Sequence, residues 1–525
     1  MTTSISNASP ARRRSGRRSK NERQATRPAP ESGRTAAGRF VVFVLCAVVV
    51  LSTLAFGTVH AWSLATFAAG ACLVVLLWAA DAWRSRTLRV SANFLQLPLL
   101  GLFALGLVQL LPLGGAPDTA AAGLAADPVR SLSLDPYATR MVLVQLGALI
   151  VYFAAALAFI DSPRRLRLVT RTVIVFGFLL ALLGLMQHFV SPDKIYGIRE
   201  TKQALGFGPF INRHHFANYM AMAAALPLGL LFAGAVEPDR RLLYVFSAVL
   251  MGIALVMTNS RGGMLSVCAE VLFLVVVSGL VRGEAGWRRT EADRGGRALA
   301  RRLLPRAAAG AGLVVALVAG VLFFGGDESL NRLLGTVNAE DPTTGRLHFW
   351  RGALGIISAR PFLGAGLGAF GAAYPLYDTG NGSVYRLEQA HNDYLQLLSD
   401  GGIVGGALGI LFVVALFTMA LRNMQSADLF RRGVALGALA GCFAALVHSF
   451  FDFPLHIAAN GLLFLTLAAL ATAGGRVEPA RRSRKRNRQQ KDGDAAAHEA
   501  APGDLPTPAQ QDGGDVVAAG GVTPA

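Results

Sequence analysis

Twelve apolar runs dictate what this chain can become. They lie near residues 40–57, 61–80, 94–113, 141–160, 168–190, 215–235, 242–258, 263–281, 307–325, 402–420, 431–449 and 457–474. At about 1.5 Å rise per residue, a run of about 20 residues spans the roughly 30 Å hydrocarbon core of a bilayer. Lipid leaves the edge of an open sheet without partners, so these runs are expected to be helices. Charged residues form 16% of the 525-residue chain, against roughly 25% in soluble domains, and the shortfall sits in the runs. The expectation is an all-α polytopic membrane protein with about twelve transmembrane helices.

Basic residues in the connections orient such a chain. If the basic N-terminal stretch lies in the cytoplasm, the inside loops hold Arg84 and Arg86, Arg164, Arg165 and Arg167, Arg240 and Arg241, the stretch from Arg282 to Arg306, and Arg431 and Arg432. The inside C-terminal tail then holds the cluster beginning at Arg481. Outside loops are poorer in Lys and Arg, the loop with Lys194, Arg199, Lys202 and Arg213 excepted. This alternation satisfies the positive-inside rule best. Residues 1–39 and 475–525 read as disordered cytoplasmic tails, since neither can bury a core. The basic stretch before the first run is too long for the n-region of a signal peptide. Residues 40–474 form the membrane domain, with its largest outside loop at 326–401. That loop carries two helix-like pieces, Thr343–Ser358 with Thr343 and Thr344 as a cap, and Leu387–Asp400 closed by Gly401 and Gly402.

A net charge of +18 would suggest nucleic-acid binding in a soluble protein. Here it follows the tails and short loops without any nucleic-acid motif, so it reads as orientation and attraction to anionic lipid. Cys46, Cys72, Cys268 and Cys442 fall in separate runs without metal-site spacing and read as small core residues.

Four polar clusters fall on the outside face: Asn212–Tyr219, Thr258–Gly263, Thr344–Arg351 and Glu388–Tyr394. His448, Asp452 and His456 form a smaller group around the end of the eleventh run, in which the two histidines read as interfacial packing. Charges near membrane depth are costly, which makes them functional hypotheses. The planar guanidinium of Arg matches phosphate oxygens, and Arg261 lies at the membrane rim beside Gly262 and Gly263, which let a ligand approach the backbone. His391 can take a proton near neutral pH and, on a helix, shares a face with Tyr394, Leu395 and Leu398. Each Arg could instead snorkel to lipid phosphate, and the convergence of Arg and His on one face argues against that reading. The pattern Gly366-x-Gly368-x-x-Gly371 lacks a preceding strand, so it reads as a flexible or close-packed loop and not a dinucleotide site. Asp492-Gly-Asp494 lies in the tail, away from any pocket. No metal or cofactor is expected.

The pattern of His391-Asn392, nine residues, then Gly402-Ile-Val-Gly405 resembles the O-antigen ligase and Wzy-type polymerase superfamily, which also includes bacterial protein O-oligosaccharyltransferases. Asn259–Gly263 and Thr344–Arg346 with Trp350 resemble further features of that family, and the likeness runs from about Arg164 to Asn460. It implies a GT-C-like helical fold in the bacterial inner membrane. The implied activity moves a glycan from undecaprenyl diphosphate to an acceptor hydroxyl, on lipid or glycan, at the periplasmic face without a metal. By that resemblance His391 is the base or orients the acceptor. Arg261 and Arg346 hold the diphosphate, with Arg213 a weaker candidate, and Asn392, Tyr394, His214 and Asp452 support them. Residues Asn212–Ala217 look closer to the exopolysaccharide-polymerising subgroup than to lipid A-core ligases. A flippase and a chain-length regulator are the expected partners. The alternatives are a secondary transporter and a non-catalytic component of a polysaccharide assembly system. A transporter would place its ionisable groups at the midplane, whereas these lie at one rim.

Overall fold

The structure is a computed structural model and describes residues 35–113, 131–200, 205–280, 304–308, 310–312, 315, 346–378 and 387–473. The expected Thr343–Thr344 cap, residues 1–34 and 474–525 and most of the ninth apolar run lie outside them, whereas residues 36–39, expected in the N-terminal tail, already belong to the first helix. All the described residues belong to one unit, which is mostly helical. The first eight helices are α1 (Ala36–Leu54), α2 (Ala61–Ser85), α3 (Gln96–Gln109), α4 (Pro136–Phe159), α5 (Pro163–Val190), α6 (Arg213–Phe232), α7 (Arg241–Met257) and α8 (Arg261–Leu280). After them come α9 (Arg346–Ala359), α10 (Asp393–Asn423), α11 (Leu429–His448) and α12 (Ala458–Thr472). A two-residue antiparallel pairing, Lys194–Ile195 with Arg199–Glu200, lies between α5 and α6.

Among the described residues, nine helices are long and apolar enough to cross a membrane. The runs expected at 94–113 and 457–474 fold as shorter apolar helices, Gln96–Gln109 and Ala458–Thr472. Local signals set many of the starts. Asp135 and Ser162 cap α4 and α5, each followed by proline, while Asn212 caps α6 and Asp428 caps α11.

Helix α6 is the most buried of these spans, with 89% of its apolar window inside the protein. It packs along α11 through small residues. A Cβ on Gly229 would come within 2.3 Å of the Gly437 backbone, and one on Gly441 within 2.9 Å of the Met222 carbonyl oxygen. Apolar contact with lipid is as good as contact with protein, so close backbone approach is what makes such a helix pair favourable. At the end of the bundle away from these polar clusters, the buried Asp81 takes a hydrogen bond from Thr35 and lies 3.2 Å from Arg89. Arg89 and Arg165 both reach Asp161, at 2.9 and 3.0 Å, which joins the ends of α1, α2, α4 and α5.

Several expectations need correction. The second helical piece does not begin at Leu387: α10 starts at Asp393, because Asn392 turns extended and takes the amides of Tyr394 and Leu395 on its side chain. Gly402 does interrupt that helix, with φ of 61°, but the helix resumes at once. The Pro361 and Phe362 carbonyls accept the amides of Ile403 and Val404 freed by the break. Gly262 and Gly263 lie inside α8, where they admit Phe451 and Ala217, and do not form an open ligand turn. Of the four cysteines only Cys442 is buried. The glycines of the 366–371 segment are close-packed: a Cβ on Gly366 would fall 2.1 Å from the Ser133 hydroxyl.

The Gly229–Gly437 approach makes a prediction. Gly229→Leu is expected to cost about 1–3 kcal/mol of packing and to lower the melting temperature of the purified protein in detergent. Gly312→Leu, where a Cβ meets open space, serves as the control that leaves it unchanged.

Candidate functional site

The elements that carry the polar clusters end at the same side of the bundle. They are the N-termini of α6, α8, α9 and α10, the C-terminus of α11, and the link Ser449–Ile457. Three contacts show the convergence. The His214 ring on α6 hydrogen-bonds Ser260, just before α8, at 2.9 Å. A Cβ on Gly262 of α8 would lie 2.9 Å from the Phe451 Cβ. The rings of Phe349 on α9 and His391 lie 5.9 Å apart.

His391 sits just outside α10, in the left-handed region with φ of 52°. Such a conformation costs a non-glycine residue of order 1–3 kcal/mol and must be held by its surroundings. It is therefore not on the helical face with Tyr394, Leu395 and Leu398. Its Nδ1 lies 3.0 Å from Asp452 Oδ1. The imidazole side chain is 27% exposed and the carboxylate 1%, so a substrate can reach the ring but not the acid. A carboxylate on Nδ1 fixes the tautomer that carries its proton there and leaves Nε2 as the acceptor. Burial alone pushes the Asp452 carboxyl upward. The His391 hydrogen bond and the nearby His215 and His214 rings outweigh it and hold the group well below the usual carboxylate range.

Two guanidiniums accompany this pair. Arg346 opens α9, where burial pulls its pKa below the usual value, the Asp452 charge pulls it up, and Arg261 lowers it further. Arg346 thus feels both the acid and the second cation. Arg261 opens α8, and its Nη1 is buried with no hydrogen-bond partner among the described residues. So are Trp350 Nε1, Gln389 Oε1 and both ring nitrogens of His448. Like charges that sense one another partly out of water favour an anion between them. Arg213 opens α6, one residue before His214, and its amide donates to Leu205 at 2.9 Å.

The remaining expected residues brace the loop. Asn392 Nδ2 donates to the Phe450 carbonyl at 3.1 Å, and the Tyr394 hydroxyl donates to the Leu446 carbonyl at 2.6 Å. The Tyr394 ring packs 4.4 Å from Phe450. Neither side chain is aimed outward as a substrate group would be.

Two polar groups stand apart from the sequence reading. Asp393 was in a recognised cluster but had no role. Its carboxylate lies 2.6 Å from His456 Nδ1 and takes the Ser449 hydroxyl at 2.7 Å and the Leu455 amide at 3.2 Å. His456 is therefore ion-paired and not interfacial packing. The order His391-x-Asp393 facing Asp452-x₃-His456 was the signal available. Glu270, halfway along α8, is buried with both oxygens unpartnered among the described residues, so the ionisable groups are not confined to the rim. Among the described residues no group of three or more His, Cys, Asp or Glu side chains is placed to hold a metal ion.

No curated protein matches the chain at a significant level. Residues 246–410 match the O-antigen ligase family, a segment that contains Arg261, Arg346 and His391 and stops short of Asp452 and His456. That segment is what the chain shares with O-antigen ligases.

Proposed function

We propose that this protein moves a glycan from undecaprenyl diphosphate to an acceptor hydroxyl at the periplasmic face of the bacterial inner membrane. At family level it is a membrane glycosyltransferase of the O-antigen ligase and polymerase type. The observation that carries the finer reading is the His391–Asp452 pair set beside the two crowded guanidiniums of Arg346 and Arg261.

In this reading the acceptor oxygen bonds to the anomeric carbon of the glycan while that carbon's bond to the diphosphate oxygen breaks. The acceptor proton passes to His391 Nε2, and Asp452 steadies the imidazolium that results. The carrier diphosphate leaves with the bonding electrons, and its charge faces Arg261 and Arg346, which are already in place before the reaction. Arg213 is the outer candidate for the same anion. About twelve spans in a GT-C-like arrangement, with both tails in the cytoplasm, complete this reading. A flippase that supplies the lipid-linked glycan and a chain-length regulator are the proposed partners.

The test uses purified protein in lipid nanodiscs with lipid-linked glycan extracted from the producing cells. His391→Ala is expected to slow transfer by about 10²–10⁴-fold, the usual worth of a positioned base. Arg346→Ala and Arg261→Ala should each cost about 10²–10³-fold, as for loss of one electrostatic donor. Lys at either position should restore little, because a point charge does not reproduce the fork. Unchanged transfer by the His391→Ala protein would overturn the reading.

Orientation has its own test. Glu388→Cys, at an exposed position three residues before His391, should be labelled from outside in intact spheroplasts by a membrane-impermeant maleimide. Labelling only after lysis would place the site on the cytoplasmic face and remove the proposal.

A further inference from the structure

The two loops that meet at the site exchange partners in mirror order. One carries His391 and Asp393, the other Asp452 and His456. The histidine of each loop bonds the aspartate of the other, His391 to Asp452 at 3.0 Å and His456 to Asp393 at 2.6 Å. Backbone and side-chain bonds fill the space between. The Asp393 amide donates to the Ser449 carbonyl at 2.9 Å, and Asn392 reaches Phe450 at 3.1 Å. The segment so clamped includes the left-handed backbone of His391, which needs external support.

We propose that His456 and Asp393 form a second imidazole–carboxylate pair that positions His391, and that transfer requires this pair to be closed. The inference rests on the transferase reading for its catalytic part, while the clamp itself is a property of the fold.

The charge of the second pair follows from its surroundings. The groups that face His456 are Asp393 and Asp400 from α10 and His215 from α6. Gln145 of α4 holds its carbonyl oxygen at 2.8 Å. Burial lowers the His456 pKa, but the Asp393 hydrogen bond and the charges of Asp393 and Asp400 more than reverse this and raise it. The ring is therefore a cation over a wider pH range than a free histidine. Loss of its proton leaves Asp393, whose side chain is 8% exposed, as a buried carboxylate without its counter-ion, an unfavourable arrangement. A raised folded pKa means that the stabilisation is complete below the unfolded value of about 6.5 and disappears as pH rises through the folded value. The clamp thus loosens on the alkaline side.

The measurement is kcat against pH in nanodiscs, together with melting temperature against pH for the same samples. The wild-type protein is expected to lose both rate and stability together on the alkaline side. His456→Asn should lower kcat by about tenfold, a loss of about 1.4 kcal/mol in positioning, with little change in KM for the lipid-linked glycan. It should also remove the alkaline fall in melting temperature. His456→Lys should move that fall upward, since lysine titrates near 10.4. Asp393→Asn should behave as His456→Asn does. His391→Ala should slow transfer by about 10²–10⁴-fold yet keep the wild-type dependence of melting on pH. If no transfer is detected with any protein, the transferase reading fails and the melting curves still decide the clamp. An alkaline limb in rate or melting that persists unchanged in His456→Asn would overturn the inference.

Discussion

The carboxylate of Asp452 lies buried with one oxygen shared between the His391 ring and the Phe453 amide, within electrostatic reach of His214, His215 and Arg346. Two guanidiniums that sense one another are easier to hold together with a negative charge beside them. A buried charge, in turn, is tolerated only when paired and hydrogen-bonded. Each side of this arrangement therefore needs the other, and the elements that meet here are fixed by that need. The α11–α12 link supplies the acid, the start of α10 supplies the reachable imidazole, and the starts of α8 and α9 supply the cations.

What holds these elements in place is helix packing of a plain kind. The close run of α6 against α11, through Gly229, Gly437 and Gly441, sets the spacing on which the site end rests. Where the backbone departs from helix at the site, other chain segments satisfy it. The break at Gly402 is filled by the carbonyls of Pro361 and Phe362, and the strained turn at His391 is clamped by the Ser449–His456 segment.

Much of this was legible beforehand, for reasons particular to each residue. The apolar runs are read from length alone, because the thickness of a bilayer admits few other solutions. Arg261 was visible as a costly charge between two such runs, and Arg346 and His391 as polar clusters of the largest loop and through the family pattern. The start of α10 was misplaced because apolar spacing says nothing about an asparagine that captures two amides. Gly262 and Gly263 were misread because a glycine that admits a neighbouring helix looks the same in sequence as one that admits a ligand. His456 was given to packing because its partner, Asp393, is distant in sequence and no local rule connects them. Glu270 went unnoticed because one carboxylate barely changes the hydropathy of an apolar run.

By itself, then, the sequence determined that the chain is a helical membrane protein and which residue types lie at its helix ends, since both follow from transfer of side chains out of water. Only the tertiary structure decided which histidine pairs with which aspartate, that Arg346 and Arg261 sense one another, and that the His391 ring stands off the helix. Those are facts of distance and orientation between elements far apart in the chain, and a Coulomb or hydrogen-bond energy is set by distance and orientation, not by composition.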